Sequence, residues 1–207
     1  MLLGLTGGYC AGKNTVASIL EARGWTCIDV DKLGHEAMEK AHDAIVGRFG
    51  PGVVDQDGLL DHRALAAIVF SDPAALADQE AIVHPLAIAL MNERIARAEE
   101  TASVAGREAL VCINAALLHR TSQIASCDAV IEVRSPLLVR IVRGAKRDGA
   151  GVGAAFRRIM RQKAFRSELC AQTREAGRPL MVIHNCGGRA SLARKLEQAL
   201  RRVGVSI

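Results

Sequence analysis

Residues 7–15 read GGYCAGKNT, and this stretch decides the fold. Gly7, Gly12 and Lys13 stand at the spacing G-x-x-x-x-G-K-[ST] of a loop that cradles phosphates, yet Asn14 takes the place of the hydroxyl residue. Just upstream, LLGLT at 2–6 is an apolar run suited to a short buried strand. Just downstream, Val16, Ile19 and Leu20 recur at helical spacing until Arg23-Gly24. TCIDVD at 26–31 reads as a second strand, with alternation placing Asp29 and Asp31 on one face at its C-terminal end. Strand, glycine loop, helix, strand is a βαβ opening, and it calls for a parallel sheet with right-handed crossovers.

The chemistry of such a loop follows from its backbone. Successive N–H groups of Gly8, Tyr9, Cys10, Ala11, Gly12, Lys13, Asn14 and Thr15 can wrap phosphate oxygens, and the helix start adds its dipole. Lys13 reaches the terminal phosphates as a point charge. A Ser or Thr hydroxyl normally ligates magnesium at position 14. The Asn14 amide oxygen is a neutral ligand too, but a longer one, and Thr15 is turned about 100° away along the helix. Triphosphate binding is therefore expected, with an altered magnesium geometry.

Beyond the opening, residues 32–104 are mostly helical in pattern, punctuated by FGPG and DQDG. SDP at 71–73 is a helix start, and Pro85 is expected to kink or divide the long stretch 74–99. Strand patterns return at 109–114, 129–133 and 179–185. Between them SP at 135–136 opens a helix with apolar positions Leu137, Ile141 and Val142. RDGAGVGAA at 147–155 is too glycine-rich for a packed element, and 190–203 forms a closing helix. The sum is one α/β unit over 1–207, with a helical insertion at 32–104 and a basic, glycine-flanked one at 144–178.

Composition narrows the partners. Half of the residues are hydrophobic, but only one Trp, one Tyr and four Phe are present. The net charge of +5 is uneven, with twelve Lys/Arg against three Asp/Glu in residues 134–178. A concentrated basic segment points to an anionic partner, and the scarcity of aromatics for base stacking favours phosphates over nucleic acid. No unbroken apolar run approaches the ~18 residues of a membrane span. A secretory signal is not expected from MLLGLTGGYC, whose apolar run is cut by glycines. The six cysteines form no C-x-x-C pair and read as thiols in a reducing compartment, and the histidines lack metal-ligand spacing.

Taken in order along the chain, the motifs resemble those of the dephospho-CoA kinase family. GLTGGYCAGKNTVASILEARGWTCIDVDKLGHEA is similar to the family's opening loop, its D-x-D strand end and a following His. DGLLDHRALAAIVFSDP, IVHPL, KRD at 146–148, RRIMRQ at 157–162 and VIHN at 182–185 match later motifs. The resemblance implies a three-layer P-loop nucleoside-triphosphate hydrolase fold with a five-stranded parallel sheet, a helical acceptor-binding insertion and a lid. It also implies ATP and Mg2+, dephospho-CoA as acceptor, transfer to the ribose 3′-hydroxyl, a cytoplasmic location and a monomer or weak homo-oligomer.

Carried over residue by residue, the resemblance makes Asp31 the base, with Lys13 and Arg147 on the phosphates and Asn185 near the adenine. It assigns acceptor binding to Asp31, His35, His84, Leu117 and Arg120, and the metal to Asn14 and Asp31. The plainer reading of Asp31 is a helix N-cap, and of the histidines a structural or surface role. The family's P-L-L-x-E motif reads NAALLHR here, so Arg120 reverses a charge, Asn114 replaces a frequent Asp, and His184 replaces Asp in V-I-D-N. An active kinase is the first reading. A slow or inactive ATP/CoA binder and a kinase for another hydroxyl acceptor are the alternatives. Nucleic-acid binding ranks last, because no recognition motif supports it.

Overall fold

The computed structural model describes residues 1–118, 123–149, 151–162 and 165–205. Five strands form one parallel sheet: β1 (Leu2–Gly7), β2 (Thr26–Asp29), β3 (Val111–Asn114), β4 (Ala129–Arg134) and β5 (Leu180–His184). Their order, β2-β3-β1-β4-β5, puts the glycine-loop strand at the centre. One face packs on α1 (Lys13–Glu21) and α10 (Arg189–Arg201). Leu3 and Leu5 of β1, Ile131 and Val133 of β4, and Ile183 of β5 meet Val16, Ile19 and Leu20 of α1 and Leu192, Leu196 and Leu200 of α10. Each such side chain, removed from water, stabilises the fold by about 1.5–3 kcal/mol. In α1 the helix-period positions read from the sequence, Val16, Ile19 and Leu20, are buried.

Two compact units divide the chain, one of Met1–Asp29 with Ala98–Ile207 and one of Val30–Arg97. The second is helical: α2 (Val30–Lys40), α3 (His42–Phe49), α4 (His62–Val69) and most of α5 (Pro73–Val104). Its interior holds Leu33, Ile45, Val53, Leu65, Val69, Val83 and Leu90. Asp61 caps α4 by accepting hydrogen bonds from the N–H groups of Arg63 and Ala64 at 2.9 and 3.0 Å.

Several expectations are corrected. β2 ends at Asp29, so Asp31 lies in the first turn of α2 and strand alternation does not apply to it. A carboxylate in that turn complements the helix dipole, which favours the helix over a longer strand. Pro85 does not divide α5, which runs as one helix over Pro73–Val104. Proline cannot donate to the carbonyl four residues back, but the Ala- and Leu-rich turns on both sides carry the helix past it.

The glycine-rich stretch at 147–155 is also packed. After α6 (Gln123–Ser126) come α7 (Leu137–Asp148), α8 (Gly151–Met160) and α9 (Phe165–Glu175). Gly149 and Gly151, at φ 64° and 77°, make the turn, and Ala155 and Ile159 bury one face of α8. On α7, Ile141 is buried but Leu137 and Val142 are exposed. Gly144 sits inward instead, because a Cβ there would come within 2.6 Å of the Tyr9 ring.

By length and hydropathy α5 reaches the bounds of a membrane-spanning helix, with a mean of 1.2 over 18 residues. A search for unbroken apolar runs misses it, because charges are interspersed. Those charges pair within the helical unit: Asp78 with Arg48 of α3 at 2.5 Å, and Arg94 with Glu36 of α2.

Candidate active site

The loop at residues 8–12 joins β1 to α1 beside the C-terminal ends of the strands, where parallel sheets bind ligands. Gly12 caps α1 at φ 103°, a left-handed conformation, and a Cβ there would lie 2.0 Å from the Asn185 Nδ2. Only glycine meets both conditions. Cys10 is left-handed as well, at φ 56°. That conformation explains why glycine suits the position and what its replacement costs, about 1–2 kcal/mol for a residue with a Cβ.

Lys13 Nζ donates to Asn114 Oδ1 at 2.8 Å, and Asn114 Nδ2 donates to Asn14 Oδ1 at 3.3 Å. The two amides that depart from the usual motif are thus bonded to each other. Asn114 is 3% exposed and lies in register with Asp29 on β2 and Leu5 on β1. Asn185, also buried, donates from Nδ2 to the Ala11 carbonyl at 2.9 Å. Its side chain braces the loop through that bond. Ser135 Oγ donates to the Asn185 carbonyl at 2.9 Å and accepts from Arg143 Nη1 at 3.3 Å.

A second set of contacts reaches the loop from α7 and α8. Tyr9 Oη donates to Asp148 Oδ2 at 2.5 Å, and Arg147 Nε and Arg158 Nη1 donate to the same carboxylate. Both guanidiniums stand over the Tyr9 ring, 4.8 and 5.7 Å from its centroid. Arg147, expected over the phosphates, is held here by Asp148 and Tyr9. The Arg147 bond, and then the Tyr9 bond, hold the Asp148 carboxyl down at about 2. Burial and then Asp148 raise the Tyr9 phenol.

Two further contacts fix Tyr9: its N–H donates to Gln162 Oε1 at 2.7 Å, and its carbonyl accepts from Arg140 Nε at 2.8 Å. The Arg140 guanidinium lies against Gly8, where burial lowers its pKa. Gly8, Ala11, Arg134, Ser135, Arg140, Gln162 and neighbouring residues enclose a cavity of about 220 Å³ beside the loop. Tyr9 itself was expected at the loop, but the grip of Gln162, Arg140 and Asp148 on it was not. The signal available was the uniqueness of this tyrosine in the chain.

Asp31 and His35 are exposed on α2, and His84 is exposed on α5, in the helical unit. There His35 meets the His62 ring edge-on at 5.3 Å, and His62 Nε2 pairs with Glu39 at 2.9 Å. His62 was not singled out in the sequence. Leu117 is half exposed after β3, and Arg120 lies outside the described residues. All six cysteines are free thiols, and burial pushes that of Cys127 up to about 12.

No group of three His, Cys, Asp or Glu side chains gathers as a metal site among the described residues. Magnesium, however, prefers water and phosphate oxygens with one or two protein ligands. The Asp29 carboxylate, in register beside Asn114, is a donor of that kind, while Asn14 Oδ1 already accepts from the Asn114 amide. The residues fit a magnesium ion that arrives with the nucleotide.

A central β1 feeding a glycine loop, a lysine at the helix start and an arginine-bearing helical pair define a P-loop phosphotransferase. The sequence profile of the dephospho-CoA kinases matches residues 1–175. Dephospho-CoA kinase of Treponema pallidum is 35% identical over 99% of this chain and 96% of its own. That of Anaeromyxobacter dehalogenans is 36% identical over 96% and 90%. A solved structure from Thermus thermophilus superposes with a TM-score of 0.78 at 30% identity, covering 98% of this chain and 97% of its own. The chain belongs to the dephospho-CoA kinase family.

Proposed function

We propose that the protein transfers the γ-phosphoryl group of ATP to the ribose 3′-hydroxyl of dephospho-CoA in the cytoplasm, giving CoA and ADP. Family membership supports this reading. The observation that carries it in this chain is Lys13, aligned by Asn114 at the mouth of an intact phosphate loop despite the Asn14 departure.

Phosphoryl transfer asks the protein for positioning and charge more than for covalent chemistry. The loop N–H groups and Lys13 hold the β and γ phosphates. Arg147, Arg143 and Arg140 of α7 are cations beside the loop that lid movement would bring to the transferring group. Asp31 accepts the proton of the acceptor hydroxyl as its oxygen bonds to the γ-phosphorus. The bond from phosphorus to the β–γ bridging oxygen breaks in the same displacement, and ADP leaves. Magnesium, when bound with ATP, neutralises charge on the β and γ oxygens. His35, His84, Leu117 and Arg120 are assigned to the acceptor.

The test is ADP release from purified protein with ATP and magnesium, with and without dephospho-CoA. Acceptor-dependent ADP that disappears in Lys13→Ala and Asp31→Asn is the expected result. Absence of turnover while ATP still raises the melting temperature would instead mark a nucleotide-binding member that has lost the chemistry.

A further inference from the structure

Asn114 performs two tasks with one amide. Its Oδ1 accepts from Lys13 Nζ and its Nδ2 donates to Asn14 Oδ1, so the two neighbours fix which way the group faces. Only the first task transfers to a carboxylate, which accepts from Lys13 as well as an amide does. An Asp at 114 has no N–H for Asn14, so two acceptor oxygens would face each other, and it would add a negative charge beside Lys13. In the usual P-loop arrangement the hydroxyl at the helix start and an acid at a strand end both hold the divalent ion. Here the residues at those two places hold one another, and both are neutral. Asn114 is buried at the end of β3, whereas Asn14 is exposed at the start of α1. The pair therefore links the sheet to the helix that carries the lysine.

We infer that Asn114 is a positioning residue that sets Lys13 through a neutral amide pair with Asn14, and that this pair lets the loop bind a nucleoside triphosphate with little help from a divalent ion. The inference rests on the reading that the loop takes ATP. It extends that reading to how strongly binding depends on the ion. Added negative charge at either place raises repulsion toward the phosphates, which only a cation relieves.

Calorimetric titration of ATP into the full chain, in EDTA and in saturating magnesium, tests it without any acceptor. Wild type is expected to bind with dissociation constants that differ by less than about tenfold between the two conditions. Asn114→Asp is expected to weaken binding in EDTA at least tenfold while changing binding in magnesium much less. Asn14→Asp, at an exposed position, should move the same ratio in the same direction and covers the case in which Asn114→Asp fails to fold. Asn114→Ala, which loses alignment without adding charge, should weaken both conditions alike. An unchanged EDTA-to-magnesium ratio in the aspartate variants, or wild-type binding seen only with magnesium, overturns the inference. Failure of dephospho-CoA turnover with the ratio intact would overturn the kinase reading alone.

Discussion

Tyr9 of the phosphate loop and Asp148 at the end of α7 are joined by a hydrogen bond of 2.5 Å across 139 residues of chain. The bond closes a cluster in which one carboxylate serves a phenol and two guanidiniums. The phosphate loop is thereby tied to the arginines of α7 and α8.

The pH dependence of this tie follows from the Asp148 carboxyl, held at about 2 by Arg147 and Tyr9. An unfolded aspartate titrates near ~3.9. A depressed folded value contributes stability above the unfolded pKa and loses it as pH falls toward the folded one. Asp148→Asn should therefore melt below wild type at pH 7, with the gap constant down to about pH 4 and closing as pH falls toward 2. Thermal unfolding of both proteins across that range is the check. A gap that widens on acidification would contradict the assignment.

Gln162 occupies the Tyr9 N–H, one of the donors that a bound phosphate would claim. A net hydrogen bond is worth about 1 kcal/mol, so Gln162→Ala should tighten ATP binding by about fivefold. Titration of ATP at fixed magnesium measures it. Weaker binding would show that Gln162 supports the nucleotide instead of competing with it.

Gly12→Ala places a Cβ 2.0 Å from Asn185 Nδ2 at a φ of 103°. Loss of ATP binding by at least tenfold is expected, along with destabilisation of about 2 kcal/mol from backbone strain and the displaced amide. Asn185→Ala in the same background should recover part of the stability by clearing the clash. Urea unfolding of the two variants separates the effects.

Glu132, 4% exposed on β4, receives two hydrogen bonds from Arg134, at 2.8 and 2.5 Å. Removing one partner of such a pair leaves a buried charge and costs about 3–5 kcal/mol. Arg134→Met should fall in that range by urea unfolding at pH 7. Arg134→Met combined with Glu132→Leu should be markedly less destabilised than Arg134→Met alone.

The fold was legible where pattern is local. Val16, Ile19 and Leu20, or Leu192, Leu196 and Leu200, carry their period in the chain, and each strand is a short apolar run beside a turn. Composition misled at 147–155, where the glycines made a turn while Ala155 and Ile159 kept a helical face. In the site, spacing indicated Lys13 and Gly12 directly. Spacing carries no trace of Gln162 reaching Tyr9 over 153 residues, nor of Asn114 reaching Lys13 over 101. Those pairings depend on which strand ends the sheet order sets side by side.

The uneven placement of aromatics has a practical consequence. The single Trp, Trp25, is buried against α1, and the single Tyr, Tyr9, stands in the loop, so both strong ultraviolet chromophores belong to the sheet unit. Residues 30–97 contribute only Phe49 and Phe70 and are nearly silent in near-ultraviolet emission. Tryptophan fluorescence therefore follows the melting of one unit, whereas far-ultraviolet dichroism weighs the helices of both. Coincident transitions would mean that the chain unfolds as one cooperative body, and a dichroism change preceding the fluorescence change would time the independent loss of the helical unit.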